Sequence, residues 1–209
     1  MITLAVQAGG RSSRMGRDKA LVRLGGIPLI EHVLQRAAGL AEEVLITTNR
    51  PADFAYLGVR LVHDRAPGAG ALPGLLSALE AAQGETVLLL ACDLPFICRP
   101  LLEHLLGLAH DADVIIPQWN GKLEPLHAVY SRSCNEAVRE AVQAGHQRVI
   151  DILPRVTHRV VDKATLSRFD PNGWSFFNVN TPEDLVQAEK FLSERGEEPQ
   201  LPLKTQTDI

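Results

Sequence analysis

Aromatic residues are scarce, at 5% of the chain, and there are only three cysteines, Cys92, Cys98 and Cys134. An odd cysteine count with no close pair builds neither a disulfide framework nor a cysteine zinc site. Reduced thiols in a cytosolic enzyme are the expectation. Basic charge is not in excess either. The formal net charge is −4, whereas a general nucleic-acid binder needs a basic footprint. The longest uninterrupted apolar run, Val87 to Cys92, is far too short to span a membrane. The start, Met1-Ile2-Thr3-Leu4, has no basic region ahead of an apolar one, so no secretory leader is expected. Internal repeats are missing too. A cytoplasmic protein without nucleic-acid or membrane partners is what these absences leave.

The residues that are present suit one ordinary globular domain. Of 209 residues, 45% are apolar, enough for a single sizeable core. The expected domain runs from 1 to 195. From Gly196 the chain turns rich in Glu, Pro, Gln, Lys and Thr, and 196–209 reads as a flexible tail.

Apolar, β-compatible runs fall at Ile2 to Val6, Glu43 to Thr48, Val59 to Val62 and Thr86 to Cys92. Helical spacing separates them. Leu29, Ile30, Val33, Leu34, Ala37 and Leu40 form one apolar stripe behind Pro28, and Leu75, Leu76, Ala78, Leu79 and Ala82 form another. This alternation predicts βαβ units and a mostly parallel sheet. Thr86 to Cys92 is the most hydrophobic run and is expected at the centre.

The second half is less regular. It offers helices at Pro100 to Leu108, at Asn135 to Ala144 and, briefly, at Val149 to Leu153. It offers strands at Asp113 to Pro117, Leu126 to Ser131 and His158 to Val161, with a turn at Asn120-Gly121. Phe176 to Asp184 reads as strand, turn and helix start, with Thr181 as N-cap, and the last helix ends near Arg195.

One stretch stands out. Residues 7–19, Gln7-Ala8-Gly9-Gly10-Arg11-Ser12-Ser13-Arg14-Met15-Gly16-Arg17-Asp18-Lys19, follow the first strand directly. Glycines let backbone N–H groups approach an anion, and the cations add charge where those amides point. At the carboxyl end of a strand this is a phosphate-binding candidate, although a surface basic turn has the same composition. The P-loop is excluded, because five residues separate Gly10 from Gly16 and Arg17-Asp18 precedes Lys19. The dinucleotide fingerprint Gly-x-Gly-x-x-Gly does not fit either. Asp93 closes the most apolar strand, where it could hold a divalent cation or cap the turn before the next helix.

The stretch resembles the G-G-x-S-x-R-M-G-x-D-K signature of the molybdenum cofactor guanylyltransferases, within the nucleotidyltransferase superfamily. Cys92-Asp93-Leu94-Pro95-Phe96 resembles the family's C-D-x-P-F/Y segment, and Asn178 to Asp184 its N-x-N-T-P-E-D segment. The resemblance runs from residue 3 to about 192 and weakens between 135 and 175.

The resemblance implies a Rossmann-like three-layer α/β/α nucleotidyltransferase fold. It implies Lys19, Arg14 and Asp93 as catalytic residues. Gln7, Ala8, Gly9, Gly10, Lys19, Asn49, Asp64, Gly70 and Asp93 would bind the nucleotide. Mg²⁺ is the implied cofactor, held by Asp93, with Asn180 as a second candidate. Asn49, Asp64 and Asn180 also suit ordinary turn positions. GTP and a molybdopterin-type cofactor are the implied substrates, and proteins that deliver or collect the cofactor are conceivable partners.

The chain departs from the family in two places. Gln7 stands where the family has Leu, with backbone contacts expected there. Residues 70–75 read Gly-Ala-Leu-Pro-Gly-Leu against the family's G-P-L-A-G-L, so the choice of base is the implication this loop tests. Glu124-Pro125-Leu126 fits a Q/E-P-L segment expected near the acceptor. The rival readings are the same fold using CTP or a sugar phosphate, and a non-catalytic protein that binds nucleotide or handles cofactor.

Overall fold

A computed structural model describes residues 1–9, 19–64 and 70–195. The expected tail, 196–209, lies outside the described residues.

Strand β1 (Ile2–Ala8) is buried along almost its whole length, as its mostly apolar sequence favours. A 3₁₀ turn at Lys19–Leu21 leads into a small hairpin, β2 (Arg23–Leu24) with β3 (Ile27–Pro28). Pro28 is the N-cap of helix α1 (Leu29–Arg36), not its first residue. The apolar stripe continues to Leu40, but the helix does not. Ala38 N–H bonds Gln35 O and Leu40 N–H bonds Ala37 O, tightening the chain into turns.

Next come β4 (Glu43–Thr48), the short helix α2 (Pro51–Phe54), β5 (Arg60–His63), α3 (Leu72–Ala81), β6 (Thr86–Ala91) and α4 (Arg99–Gly107). Then follow β7 (Val114–Trp119), β8 (Lys122–Leu123), β9 (His127–Ser131) and α5 (Asn135–Gln143). Val149–Arg155 is a 3₁₀ segment, followed by β10 (His158–Val161), α6 (Lys163–Leu166) and α7 (Pro182–Glu194).

The main sheet has the order β10-β7-β9-β6-β1-β4-β5, with β8 paired to β7. β6 takes the middle, as its hydrophobicity predicts. β1 is parallel to β4 and β6, and β4 to β5. β9 runs antiparallel between β6 and β7. It is the returning arm expected after Asn120-Gly121, paired with β7 on one side and with β6 on the other. One core packs α1, α2 and α4 on one face of the sheet, and a second packs α3, α5 and residues 149–153 on the other. The fold is thus the expected three-layer α/β/α arrangement around a mostly parallel sheet.

The expected strand at Phe176 is absent. Trp174–Phe176 is a 3₁₀ turn, and the chain then runs irregularly to Thr181. This segment crosses the end of β6 instead of joining the sheet. Val179 N–H donates to the Asp93 carbonyl at 3.0 Å, and Phe176 stacks on Trp119 with ring centroids 5.4 Å apart. Thr181 does cap α7, in a capping box with Asp184.

Gly173 fixes this crossing. Its φ is +70°, and a Cβ there would lie 2.1 Å from Trp119 Cε2. The Trp119 ring cannot retreat easily, since Phe176 stacks on it and Lys163 Nζ lies 4.8 Å from its centroid. Gly173→Ala is therefore expected to destabilise the fold by about 3 kcal/mol, measured as a lowered urea midpoint.

Candidate active site

Parallel pairing of β5, β4, β1 and β6 brings their carboxyl ends to one edge of the sheet. Ala8 pairs with Thr48, Thr48 with His63 and Gln7 with Ala91. Backbone bonds carry the register past the strands: Asp64 N–H to Thr48 O at 3.2 Å, and Cys92 N–H to Gln7 O at 3.2 Å. Gly9, Asn49, Asp64 and Asp93 are thus neighbours in space, although they span 85 residues of sequence (93 − 9 + 1). In such sheets the crevice beyond the carboxyl ends is where ligands bind.

Gly9 lies in ordinary contact range of two of them. A Cβ at Gly9 would lie 3.5 Å from Asp64 Oδ2 and 3.7 Å from Asn49 Nδ2. The backbone at Gly9 therefore reaches the same small volume as a carboxylate and an amide. Asp64 is buried. Gly70 lies at the start of the turn into α3, whose Leu72 N–H bonds the Gln147 carbonyl at 3.1 Å. Gln7 and Ala8 are buried at the end of β1. Gly10 and Arg14 lie outside the described residues.

The centre of the edge holds a second group. Lys19 Nζ donates to Asn180 Oδ1 at 2.5 Å and lies 4.0 Å from Asp93 Oδ2. Asn180 is placed by its backbone N–H, which bonds the Asp184 carboxylate at 2.9 Å, and by the neighbouring bond from Val179 to Asp93 O. The α7 cap and the end of β6 are thereby tied together, and Lys19 bridges them. Burial raises the pKa of Asp93, with the Lys19 ammonium opposing it. The carboxylate is short of solvation and gains from nearby positive charge.

These oxygens fit a hard divalent cation. Asp93 supplies a carboxylate and Asn180 an amide carbonyl, both turned toward one cationic position. One or two such ligands with phosphate oxygens and water suit Mg²⁺. No cluster of three or more His, Cys, Asp or Glu occurs among the described residues, so an all-protein metal cage is not the alternative there.

On the other side of Asp93, β9 begins at the same edge because it runs antiparallel to β6. Ala91 N–H bonds Leu126 O at 2.8 Å, and Glu124 N–H bonds Pro117 O at 2.9 Å. Glu124 is half-buried, and burial pushes its pKa up to about 7 against the pull of Lys122. The sequence singled out the Glu124-Pro125-Leu126 segment, but not the perturbed acidity of Glu124. Two features escaped sequence reasoning. One is the side chain of Gln7, whose Nε2 donates to Ala71 O at 3.1 Å. The other is His127, fully buried beneath Phe176 with ring centroids 4.9 Å apart. A cavity of about 420 Å³ is lined by Arg36, Phe96, Arg99, Trp174 and Arg195 among others, and by none of the expected site residues.

A mostly parallel three-layer sheet of this kind is the fold of nucleotidyltransferases. A nucleotidyl transferase from Methanothermobacter thermautotroptrophicus shares the fold with a TM-score of 0.70 at 20% identity, covering 93% of this chain and 99% of that one. Residues 4–160 match the MobA-like NTP transferase domain family. The chain belongs to that family, and within it to the molybdenum cofactor guanylyltransferases. A relative from Pelotomaculum thermopropionicum named "Probable molybdenum cofactor guanylyltransferase" is 38% identical over 186 residues, 89% of this chain and 91% of the relative. The Molybdenum cofactor guanylyltransferase of Desulfosudis oleivorans is 31% identical over 190 residues, 90% of this chain and 94% of the relative. The crystal structure of Molybdopterin-guanine dinucleotide biosynthesis protein A from Archaeoglobus fulgidus has a TM-score of 0.79 at 30% identity, covering 92% of this chain and 99% of that one.

Proposed function

We propose that this enzyme transfers GMP from GTP to the terminal phosphate of molybdenum-bound molybdopterin and releases diphosphate. The observation that carries the reading is the meeting of Lys19, Asp93 and Asn180 next to the Gly9–Asn49–Asp64 pocket. The acceptor phosphate oxygen attacks the α-phosphorus. A new P–O bond forms, the bond to the β-phosphate oxygen breaks, and diphosphate carries off the electron pair. The acceptor is anionic at neutral pH, so no general base is needed. Positioning and charge neutralisation supply the catalysis.

Each residue has a part. Lys19 neutralises charge on the phosphates. Gly9 lets the backbone approach them. The Asp64 carboxylate suits the N1–H and 2-amino donors of guanine, a pair adenine lacks. Asp93 and Asn180 would hold Mg²⁺, whose charge draws the phosphates together. Glu124 and the start of β9 border the acceptor side. No helix among the described residues is long and apolar enough to cross a membrane.

Diphosphate release measured with each nucleoside triphosphate and the pterin acceptor tests this reading. GTP is expected to support turnover best, at least tenfold over CTP, UTP and ATP (about one hydrogen bond's worth of discrimination). Faster release with CTP or UTP would overturn the guanylyl assignment.

A further inference from the structure

The chain has ten aromatic residues (six Phe, two Trp and two Tyr), and four of them, Phe96, Phe169, Trp174 and Phe191, line the cavity of about 420 Å³ described above. That volume lies within the range of about 300–1,000 Å³ usual for small-ligand pockets. Trp174 stacks on Phe191 with ring centroids 3.5 Å apart, and Phe96 meets the two rings edge-on, at 5.5 and 4.8 Å. Phe96 is buried and braces the pair, whereas Trp174 and Phe191 are only half-buried. Ring surface is thus left at the cavity wall.

Three guanidinium groups border the same space, from the ends of three helices far apart in sequence. Arg36 ends α1, Arg99 opens α4 and Arg195 is the C-cap of α7. Each is held in place. Arg36 Cζ lies 5.9 Å from the Phe96 centroid, and Arg195 Cζ lies 4.8 Å from that of Phe191. Arg99 donates to the Ala38 carbonyl and pairs with Glu103 at 2.9 Å. Positive charge suits the carboxyl ends of α1 and α7, but Arg99 stands at the amino end of α4, where it opposes the helix dipole. Helix-end electrostatics therefore do not explain why the three converge. The lining carries one carboxylate, that of Asp170, which already accepts from the N–H groups of Gly173 and Ser175 at 3.0 and 2.6 Å. A chain of net charge −4 thus gathers an excess of cations around one aromatic-walled cavity.

We propose that this cavity is a second ligand site, lined by none of the catalytic-edge residues, that takes a planar heterocycle carrying a phosphate group. The heterocycle packs on Trp174 and Phe191, and the guanidinium groups hold the phosphate. Aromatic rings and guanidinium planes offer a stacking platform to any base, and guanidinium forks match phosphate oxygens. A nucleoside monophosphate and a pterin monophosphate share this chemistry, and the test separates them.

Of the two tryptophans, Trp174 lines the cavity and Trp119 does not. Full-length Trp119→Phe protein therefore reports on the cavity by indole fluorescence. Titration with GMP should give a saturable change. Arg36→Ala with Arg195→Ala should weaken that binding at least tenfold and leave diphosphate release from GTP unchanged. Lys19→Ala, which alters the catalytic edge, should leave the fluorescence change in place. Equilibrium dialysis of the wild type, which needs no tryptophan substitution, compares GMP, AMP and a pterin monophosphate with inorganic phosphate. At least one ring compound should bind tenfold more tightly than phosphate, and the binding lost in the double arginine variant identifies which ring the cavity takes. Equal binding by the double arginine variant and its parent overturns the proposal. So does a fluorescence change that Lys19→Ala abolishes, or inorganic phosphate binding as tightly as every ring compound.

Discussion

Replacing Asp93 by alanine is expected to lower kcat/KM by about a thousandfold with the fold retained. Burial already disfavours the charged form of this carboxylate, so the native state bears a cost to keep it there. Removing it should leave the urea midpoint unchanged or slightly raised. Lys19→Ala should lose activity by a similar factor, because the same ammonium holds Asn180 and faces Asp93. Groups that act as a unit are not additive, so the double variant should be little worse than either single one.

The pH profile gives a second readout. Lys19 is what opposes the burial-driven rise in the Asp93 pKa. Its loss should move the acid limb of the residual Lys19→Ala activity to higher pH, since Asp93 must then be deprotonated without that help. Unchanged turnover in both single variants would remove these residues from the mechanism.

Much of this site was legible because it is built from strand ends. β1, β4 and β6 each carry a β-compatible apolar stretch, and a glycine or polar residue after such a strand in a βαβ chain falls on the ligand edge. Gly9, Asn49, Asp64 and Asp93 could be gathered there by topology alone. Lys19 joined them through the spacing of its loop. The bond from Lys19 to Asn180, 161 residues apart, left no periodic signal. Asn180 suits a turn before α7, and its place beside Lys19 appears only where α7 and the end of β6 meet. Phe176 and Phe177 read as strand because aromatic residues favour strands, yet their partners are other rings. Phe177 packs with Trp174 and Phe96, and Phe176 with Trp119 and His127. The bond from the Gln7 side chain to Ala71 was hidden because a family pattern directs attention to the backbone at that position, whereas the informative pair is Gln7 with Gly74.

His127 makes the second large prediction, a loss of stability in mild acid. It lies at the start of β9 with no exposed surface, and among the described residues neither ring nitrogen makes a well-formed hydrogen bond, the Ser175 backbone being the nearest approach to one. Burial lowers its pKa to about 4, with Asp170 and the Ser175 backbone opposing too weakly to offset it. The unfolded chain takes up a proton near pH 6.5, whereas the folded protein does not until near pH 4. Stability from this residue is therefore complete above about pH 6.5 and falls as pH drops toward 4. At pH 5 the loss is about 2 kcal/mol and at pH 4 about 3 kcal/mol. Glu124 works in the opposite sense over an overlapping window, because its raised pKa favours the folded state at low pH and loses that advantage as pH rises to about 7. It is partly solvated, so solvent screening makes its contribution the smaller one. Urea unfolding of the wild type and His127→Leu at pH 7.5 and pH 5 separates the terms. The drop in unfolding free energy between the two pH values should be about 2 kcal/mol smaller in the variant, whatever the substitution does to stability at pH 7.5. An equal drop in both proteins would mean that His127 does not stay neutral in the fold.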